Sequence, residues 1–153
     1  MSSTLNEREV TAWRAYIDAS IRLETRLDEG LRAQCDLTLI DYHVLVLLHE
    51  APHHRLRMSD LADKMVFSRS RVTYQVDSMR KRGLVAREPA PDDGRGSLAV
   101  LTATGLETFL AAIPRHAATV RELFLDDLSE DELNCVAKIF ARLRDSLQEP
   151  LST

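Results

Sequence analysis

One segment of the chain, residues 84–101, interrupts an otherwise helical sequence and limits the folds that the chain can adopt. Two short runs with strand character, residues 84–88 and 97–101, enclose "PAPDDGRG", which holds two prolines and two glycines. This density of proline and glycine is typical of a turn, so the pattern predicts a β-hairpin with an extended tip. Elsewhere glycine and proline are scarce and helix-favouring residues dominate. The sequence therefore predicts a mainly α-helical fold with a small β-hairpin.

Two helices are predicted before the hairpin from their apolar spacing. Residues 7–32 repeat apolar side chains at helical intervals, which indicates a long amphipathic helix. Residues 39–48 are apolar on nearly all sides, so this second helix should lie centrally. Thr38 and Asp41 are spaced for a capping box at its start, and Pro52 should end it.

Two further helices are predicted after the hairpin. One covers residues 103–125, begins after Thr102, and should be kinked or interrupted by Pro114. The last helix begins at the capping box "SEDE", residues 129–132. Its apolar face consists of Leu133, Val136, Ile139, Phe140 and Leu143.

A helix-turn-helix pattern lies between the central helix and the hairpin. The short helix "MSDLADKM" should be capped by Ser59, and a three- to four-residue turn follows it. The next helix should be capped by Ser68 and end at Gly83. Its inward face should carry Val72, Val76 and Met79, spaced four and three residues apart. A polar face with the same spacing carries Arg71, Gln75, Ser78 and Arg82.

Positive charge is concentrated in the middle of an acidic chain. The whole sequence carries a formal charge of −4. Residues 55–95 hold ten basic and six acidic side chains, a net charge of +4, whereas the remainder holds ten basic and eighteen acidic ones, a net charge of −8. Solvated surface charge could explain these counts. It does not explain Arg69 and Arg71 at a helix start, where the dipole disfavours cations, so the pattern favours a nucleic-acid contact.

The chain resembles the MarR family of winged helix-turn-helix transcription regulators in three stretches: "LTLIDYHVLVLL", "RMSDLADKMVFSRSRVTYQVDSMRKRGLVARE" and "DDGRGSLAVLTATG". The family's wing pattern is Asp-x-Arg, five residues, then Leu-Thr-x-x-Gly, and it is matched by Asp93, Arg95, Leu101, Thr102 and Gly105. The resemblance covers nearly the whole chain. The wing tip departs from it, because one arginine stands between the glycines where many relatives have two or more basic residues.

The resemblance implies a homodimer that regulates transcription. Residues 1–36 and 103–153 would form a helical dimerisation region, and residues 37–102 a winged helix-turn-helix DNA-binding module. A two-fold dimer should bind double-stranded DNA at a pseudo-palindromic operator, with half-sites about one helical turn apart. Most regulators of this family are repressors, and the resemblance implies release from DNA when a small molecule binds.

The resemblance also implies which residues contact DNA. A recognition helix would enter the major groove through Ser68, Arg69, Ser70, Arg71, Tyr74 and Gln75. Ser78 shares the polar face of that helix, on which arginine and glutamine can form paired hydrogen bonds with base edges. The wing would reach the minor groove through Arg95. Asp93 would brace Arg95 or a nearby basic residue, because phosphate repels a carboxylate.

Relatives often bind small aromatic acids between the dimerisation region and the winged module. Trp13, Tyr16, Tyr42 and His43 would border such a cleft and could receive a small aromatic or phenolic ligand, although core packing is the favoured interpretation of each. The five histidines show no closed metal-site spacing, so no metal and no other cofactor is predicted. The two cysteines lie far apart in the sequence, which predicts buried, reduced thiols rather than a disulfide.

The alternative function is a protein-interaction module that docks an acidic partner. Arg71 and Gln75 on one face favour base edges, whereas an interaction surface should be more apolar. We expect no enzyme, because the sequence has no nucleophile elbow, glycine-rich phosphate loop or HExxH motif. No apolar run approaches the roughly 18 residues of a membrane span, and the N-terminus lacks a signal-peptide pattern, so we expect a cytoplasmic protein that does not contact the membrane.

Overall fold

The computed structural model describes residues 4–91 and 95–148. The chain divides into two compact units, residues 1–117 and 118–153. The described residues are mainly helical with one small antiparallel sheet, which confirms the predicted fold class. None of the helices in this part of the chain is long and apolar enough to cross a membrane.

Five α-helices begin among the described residues of the first unit. They are α1 (Glu7–Cys35), α2 (Leu39–Glu50), α3 (Met58–Met65), α4 (Arg69–Lys81) and α5 (Ala103–Val120). Helix α1 extends three residues beyond its predicted end and stops where the next residue adopts a left-handed conformation. Helices α3 and α4 form the predicted helix-turn-helix.

The predicted capping box of α2 is present. The Thr38 hydroxyl accepts from the Asp41 amide, and the Asp41 carboxylate accepts from the Thr38 amide, both at 2.9 Å. These two bonds satisfy donors that the first turn of a helix leaves without intrahelical partners. Three aliphatic side chains of α2, Val44, Leu45 and Leu48, are almost completely buried, which confirms that this helix is central.

The sheet has three strands instead of the two that the hairpin alone predicts. Strands β2 (Val85–Pro89) and β3 (Ser97–Leu101) form the wing hairpin, with Arg87 opposite Ala99. The additional strand β1 (Arg55–Arg57) pairs with the other edge of β3, so the order is β1-β3-β2. The sequence does not reveal β1, because three residues carry too little periodicity and its partner is more than forty residues away.

The predicted cap of α3 is wrong. Arg57 occupies the N-cap position without a side-chain hydrogen bond, and Ser59 lies inside the helix. The physical reason is β1, because Arg57 pairs with Leu98 and the chain passes directly from the strand into the helix. At the other end of α3, Val66 adopts a left-handed conformation with φ of 54° and starts the turn towards α4.

Thr102 and Gly105 join the wing to α5. The Thr102 hydroxyl accepts from the Gly105 amide at 2.9 Å, which confirms the predicted cap, and lies 2.6 Å from the Gly83 carbonyl oxygen to which it donates. Gly105 packs against the backbone of Leu84 so closely that a Cβ there would lie 1.9 Å from the Leu84 carbonyl oxygen. The Leu-Thr-x-x-Gly pattern therefore has a packing role.

One hydrophobic core unites the elements of the first unit. Val72, Val76 and Met79 of α4 are buried in it, which confirms the predicted inward face. The same cluster includes residues of α1, α3, β2, β3 and α5 and of the turn before β2: Leu31, Leu61, Leu84, Val85, Ala99, Leu101, Phe109 and Ala112. Since α4 contributes only one face to this core, its other faces remain available for contacts.

Pro114 lies inside α5 and does not interrupt it, so of the two predicted effects, a kink or an interruption, the interruption is wrong. The helix continues to Val120 and is followed by a π-helical turn, Arg121–Leu125, closed by a bond from the Asp126 amide to the Arg121 carbonyl. Proline removes one helical hydrogen bond, and its exposed position lets water solvate the carbonyl that loses this bond.

In the second unit, α6 (Glu130–Gln148) begins at the predicted capping box, in which Ser129 and Glu132 exchange hydrogen bonds. The backbone amide and hydroxyl of Ser129 hold the pKa of Glu132 below its ordinary value, because both donate to the carboxylate.

Candidate nucleic-acid interface

The start of α4 presents basic and hydroxyl side chains to solvent. Ser68 caps the helix by accepting from the Arg71 amide at 3.3 Å, and its hydroxyl lies 3.2 Å from that of Ser70. Arg69, Ser70 and Arg71 are exposed in the first turn. The positive end of the helix dipole and the two guanidinium groups act in the same direction, so this turn favours a bound anion.

Arg71 is held by an aromatic contact. Its guanidinium carbon lies 3.6 Å from the centroid of the Phe67 ring. Phe67 is itself half-buried against the core, so its ring gives Arg71 a fixed platform. An arginine ordered in this way loses less conformational freedom when it forms paired hydrogen bonds with a base or a phosphate.

Tyr74 and Ser78 occupy different environments on α4. Tyr74 is 78% exposed, although it is a large aromatic residue, so it does not pack in the core. Ser78 is only half-exposed. Tyr74 is thus well placed for a sugar or phosphate contact, whereas Ser78 is less accessible.

Gln75 and Arg82 are engaged by the protein itself. The Gln75 side-chain amide donates to Asp41 at 2.5 Å, and an Arg82 guanidinium nitrogen donates to the same carboxylate at 2.7 Å. The structure thus brings two residues of the predicted polar face onto a buried acid of α2. Sequence reasoning missed this acid as a partner of α4, because Asp41 was already explained by its capping box.

A basic groove lies between the start of α4 and the wing. It has a volume of about 360 Å³ and is lined by three arginines, Arg57, Arg69 and Arg95. Each comes from a different element or loop, and the chain elsewhere is acidic, so the groove collects positive charge at one place. The sequence did not predict Arg57 as a residue of this interface. The one pattern in the sequence that could have indicated it is the alternating "RLR" of β1. Asp93, the predicted wing support, lies outside the described residues.

Four other basic residues of the central module face carboxylates. Arg80 and Arg87 both approach Asp77, at 3.7 and 3.4 Å. Arg55 lies 3.3 Å from Glu88, and Arg82 contacts Asp41 as described above. These pairs reduce the positive potential at the distal part of α4 and along the outer strands.

A second cavity, of about 510 Å³, opens beside α2. Two of the four predicted pocket residues, Tyr42 and His43, line it, whereas Trp13 and Tyr16 do not. Its wall is mostly apolar, with Glu24 and Arg71 as charged groups. Burial raises the pKa of the Tyr42 phenol, so this hydroxyl remains a hydrogen-bond donor at neutral pH. The cavity and the start of α4 thus share Arg71.

The His116 ring packs against Tyr42, with 4.3 Å between ring centroids. Burial holds the pKa of His116 below its ordinary value, because the charged imidazolium is poorly solvated there.

Within the described residues, no group of three or more histidine, cysteine or acidic side chains could hold a metal ion. Cys35 and Cys135 are both free thiols. Cys35 is half-buried and Cys135 is exposed, so the expectation of a buried thiol is wrong for Cys135.

Comparison with known proteins identifies relatives of this fold. A sequence model of the MarR family matches residues 36–96. AbsC, a MarR family transcriptional regulator from Streptomyces coelicolor, is 37% identical, with a TM-score of 0.90 over 96% of this chain and 99% of that chain. Sco3205, a MarR family regulator from the same organism solved in complex with DNA, is 34% identical, with a TM-score of 0.93 over 97% and 93% of the two chains.

A curated relative is also a transcriptional regulator, like the two proteins of known structure. The HTH-type transcriptional regulator MhqR of Bacillus subtilis (strain 168) is 28% identical over 103 residues, which cover 67% of this chain and 69% of that protein. These relatives are transcriptional regulators and not enzymes. With its winged helix-turn-helix and identities of 34–37% over nearly whole chains, the protein belongs to the MarR family of transcriptional regulators.

Proposed function

We propose that this chain is a dimeric, sequence-specific DNA-binding regulator that represses transcription until a small molecule binds. The observation that carries the DNA-binding part is the groove in which Arg57, Arg69 and Arg95 meet beside the exposed start of α4. Such a concentration of cations in an acidic chain suits the phosphate backbone, which supplies most of the affinity for DNA. The 34% identical relative in complex with DNA supports the same assignment.

The proposed contacts divide between bases and backbone. Arg71, ordered over Phe67, would read a base edge in the major groove, and Tyr74 would contact the sugar-phosphate backbone. Ser68, Arg69 and Ser70 would bind phosphate at the helix start. Arg95, braced by Asp93, would place the wing in the minor groove. Ser78 and Gln75 would be secondary, because Ser78 is half-buried and the Gln75 amide is engaged by Asp41.

A second copy of this chain is the proposed partner of its exposed apolar faces. Trp13 and Ile21 of α1 are 56% and 60% exposed. In α6, Ile139, Phe140 and Leu143 of the predicted apolar face are exposed, and so is Leu147 beyond it. Burial of apolar surface stabilises an assembly by about 25 cal/mol per Å², so these faces favour association. The dimerisation region would comprise residues 1–36 and 103–153, with the winged module, residues 37–102, between them in sequence.

Release by a ligand is supported by the cavity beside α2. Its volume and mostly apolar wall suit a small aromatic or phenolic molecule. Arg71 is both a wall residue and a proposed base contact, so a ligand that engages its guanidinium would favour a state with lower affinity for DNA. A dimer bound across a promoter would block polymerase, which makes repression the expected effect. A protein that acts on the chromosome in this way would reside in the cytoplasm.

The proposal is tested by selecting bound duplexes from a random pool. Enrichment of a pseudo-palindrome with half-sites about one helical turn apart is expected. Arg71→Ala should weaken binding to that sequence by roughly 1–3 kcal/mol and relax one base position. Failure to enrich any sequence would overturn the proposal, and would favour the alternative in which the winged module docks an acidic protein. Transcription from a promoter that carries the selected site should fall when the protein is added and recover with its ligand.

A further inference from the structure

Asp41 is the one charged side chain that is fully buried among the described residues, with 1% of its surface exposed. A carboxylate buried without partners would be strongly destabilising. Here three donors from two elements satisfy it: the Thr38 amide at 2.9 Å, the Gln75 side-chain amide at 2.5 Å and the Arg82 guanidinium at 2.7 Å. A capping box needs only the first of these donors, and it is commonly formed at a helix end in solvent. The burial of Asp41 therefore requires another explanation.

The two additional donors attach α4 to α2 at two points. Gln75 lies in the second turn of α4, and Arg82 follows its last residue, so the attachments are seven residues, or about 10 Å, apart along the helix axis. Arg82 also donates to the carbonyl oxygen of Asp36, in the connection between α1 and α2. Apolar packing of Val76 and Met79 is non-directional, whereas two hydrogen bonds to one carboxylate fix both the rotation of α4 about its axis and its axial position.

We propose that Asp41 is a positioning residue that, through Gln75 and Arg82, sets the orientation of α4 required for sequence-specific DNA binding, and that Gln75 serves this contact instead of reading a base. This inference rests on the proposed function of α4. It assigns Gln75 a role different from the one that the family resemblance implies. A small rotation of α4 would move Arg71 and Tyr74 away from base and backbone partners. Arg57 and Arg95 lie outside α4 and would still bind DNA without regard to sequence.

The same contact connects α4 to the cavity wall. Asp41 lies in the first turn of α2, next to Leu39, Ile40, Tyr42 and His43, which line the cavity. The start of α2 is also attached to α1, because the Leu39 amide donates to Asp28 at 2.8 Å. A molecule that shifts this turn of α2 would therefore shift α4 through Asp41.

The first test compares Asp41→Asn with Thr38→Ala. Asn preserves the volume of Asp41 but replaces one carboxylate oxygen by an NH₂ group. This group is a donor and cannot accept from Gln75 or Arg82. Thr38→Ala removes a cap from the same helix turn and leaves Gln75 and Arg82 untouched, so it controls for loss of stability. Binding to the selected operator and to a scrambled duplex is measured below the unfolding temperature of both variants. We expect Asp41→Asn to lower the ratio of specific to non-specific affinity about tenfold, and Thr38→Ala to leave this ratio unchanged.

Two further readouts separate positioning from stability and from base reading. Hydrogen exchange of the backbone amides of residues 69–81, measured without DNA, should accelerate in Asp41→Asn beyond the change in Thr38→Ala. Gln75→Met keeps the Asp41–Arg82 ion pair and is the milder change if Asp41→Asn fails to fold. It should reduce discrimination between base pairs at all positions of the half-site. Loss of discrimination at a single base pair would show that Gln75 reads a base.

Equal specificity ratios in Asp41→Asn, Gln75→Met and the wild type would overturn the positioning role while leaving the proposed function intact. A wild-type protein that selects no sequence would overturn the proposed function instead. In that case the exchange rates still decide whether Asp41 holds α4, and unchanged rates in Asp41→Asn would overturn the inference as well.

Discussion

Single residues of the wing motif have structural roles that their chemistry explains. The Thr102 hydroxyl contacts three backbone groups. It accepts from the Gly105 amide, and it donates towards the carbonyl oxygens of Gly83 and Leu84. Gly105 allows the first turn of α5 to touch the backbone of Leu84. The Leu-Thr-x-x-Gly part of the motif therefore sets the position of the wing relative to α5, and Thr102 and Gly105 have this role without contacting DNA.

Gly105→Ala should destabilise the fold by about 3 kcal/mol, at the upper end of overpacking costs, because a Cβ would lie 1.9 Å from the Leu84 carbonyl oxygen and the backbone would have to move. Gly83→Ala is the matched control. A Cβ there meets no atom within 4 Å, and only its φ of 75° is unfavourable, which costs about 1–2 kcal/mol. Chemical denaturation measures both, and equal losses would show that the close approach at Gly105 is relieved easily.

His116 should make stability depend on pH. Its folded-state pKa lies below the ordinary value, because burial disfavours the imidazolium. The unfolded state therefore binds the proton more readily, so the stabilising contribution is complete above the unfolded pKa of about 6.5 and is lost as the pH falls towards the folded value. Thermal unfolding of the wild type and His116→Phe between pH 8 and 5 measures this contribution. The unfolding temperature should decline less steeply with falling pH in the variant than in the wild type. Identical declines would argue against a contribution from His116.

At the scale of elements, the groove depends on β1. This strand pairs with β3 and brings Arg57 to the same groove as Arg69 of α4 and Arg95 of the wing tip. Arg55 of the same strand does not line the groove and lies 3.3 Å from Glu88. Two arginines of one short strand, Arg55 and Arg57, are thus predicted to differ in function.

Arg57→Ala and Arg95→Ala should each reduce the salt dependence of DNA binding, by about one unit in the slope of log affinity against log salt, if each neutralises one phosphate. Arg55→Ala is the control on the same strand, and its slope should remain that of the wild type. Binding is measured on one duplex between 50 and 200 mM salt, the range over which phosphate contacts have large effects. Three equal slopes would place the groove away from DNA.

At the scale of the whole molecule, charge and apolar surface are separated along the sequence. The central module carries the excess of positive charge, whereas α1 and α6 present exposed apolar side chains on otherwise charged helices. Such faces are costly in water unless something covers them. A second copy would satisfy this need, as proposed above, and it would also provide two recognition helices related by a two-fold axis, as a pseudo-palindrome requires.

The wild type should therefore have the mass of a dimer in dilute solution. Ile139→Glu, on the exposed apolar face of α6, should shift the equilibrium towards monomer and make the unfolding temperature fall at low protein concentration. Lys138→Glu, one residue away and outside that apolar face, should remain dimeric. Sedimentation equilibrium distinguishes these outcomes. A wild type that stays monomeric and folded at micromolar concentration would contradict the role proposed for these helices.

The sequence by itself determined the features that depend on neighbours a few residues apart. The capping boxes at Thr38 and Ser129, the cap at Thr102 and the inward face of α4 were all predictable, because each arises from contacts within about one or two helical turns. The hairpin was predictable from its turn residues, and the family from the combined wing and helix motifs.

Only the tertiary structure decided the contacts between residues far apart in the chain. Asp41 meets Gln75 and Arg82 across 34 and 41 residues, and Arg57 pairs with Leu98 to start α3 one residue before the predicted cap. The Gln75 side chain could contact a base or a buried carboxylate without any difference in the helical conformation around it. Which of these it faces depends on how α2 and α4 pack, and helical periodicity carries no information about that packing.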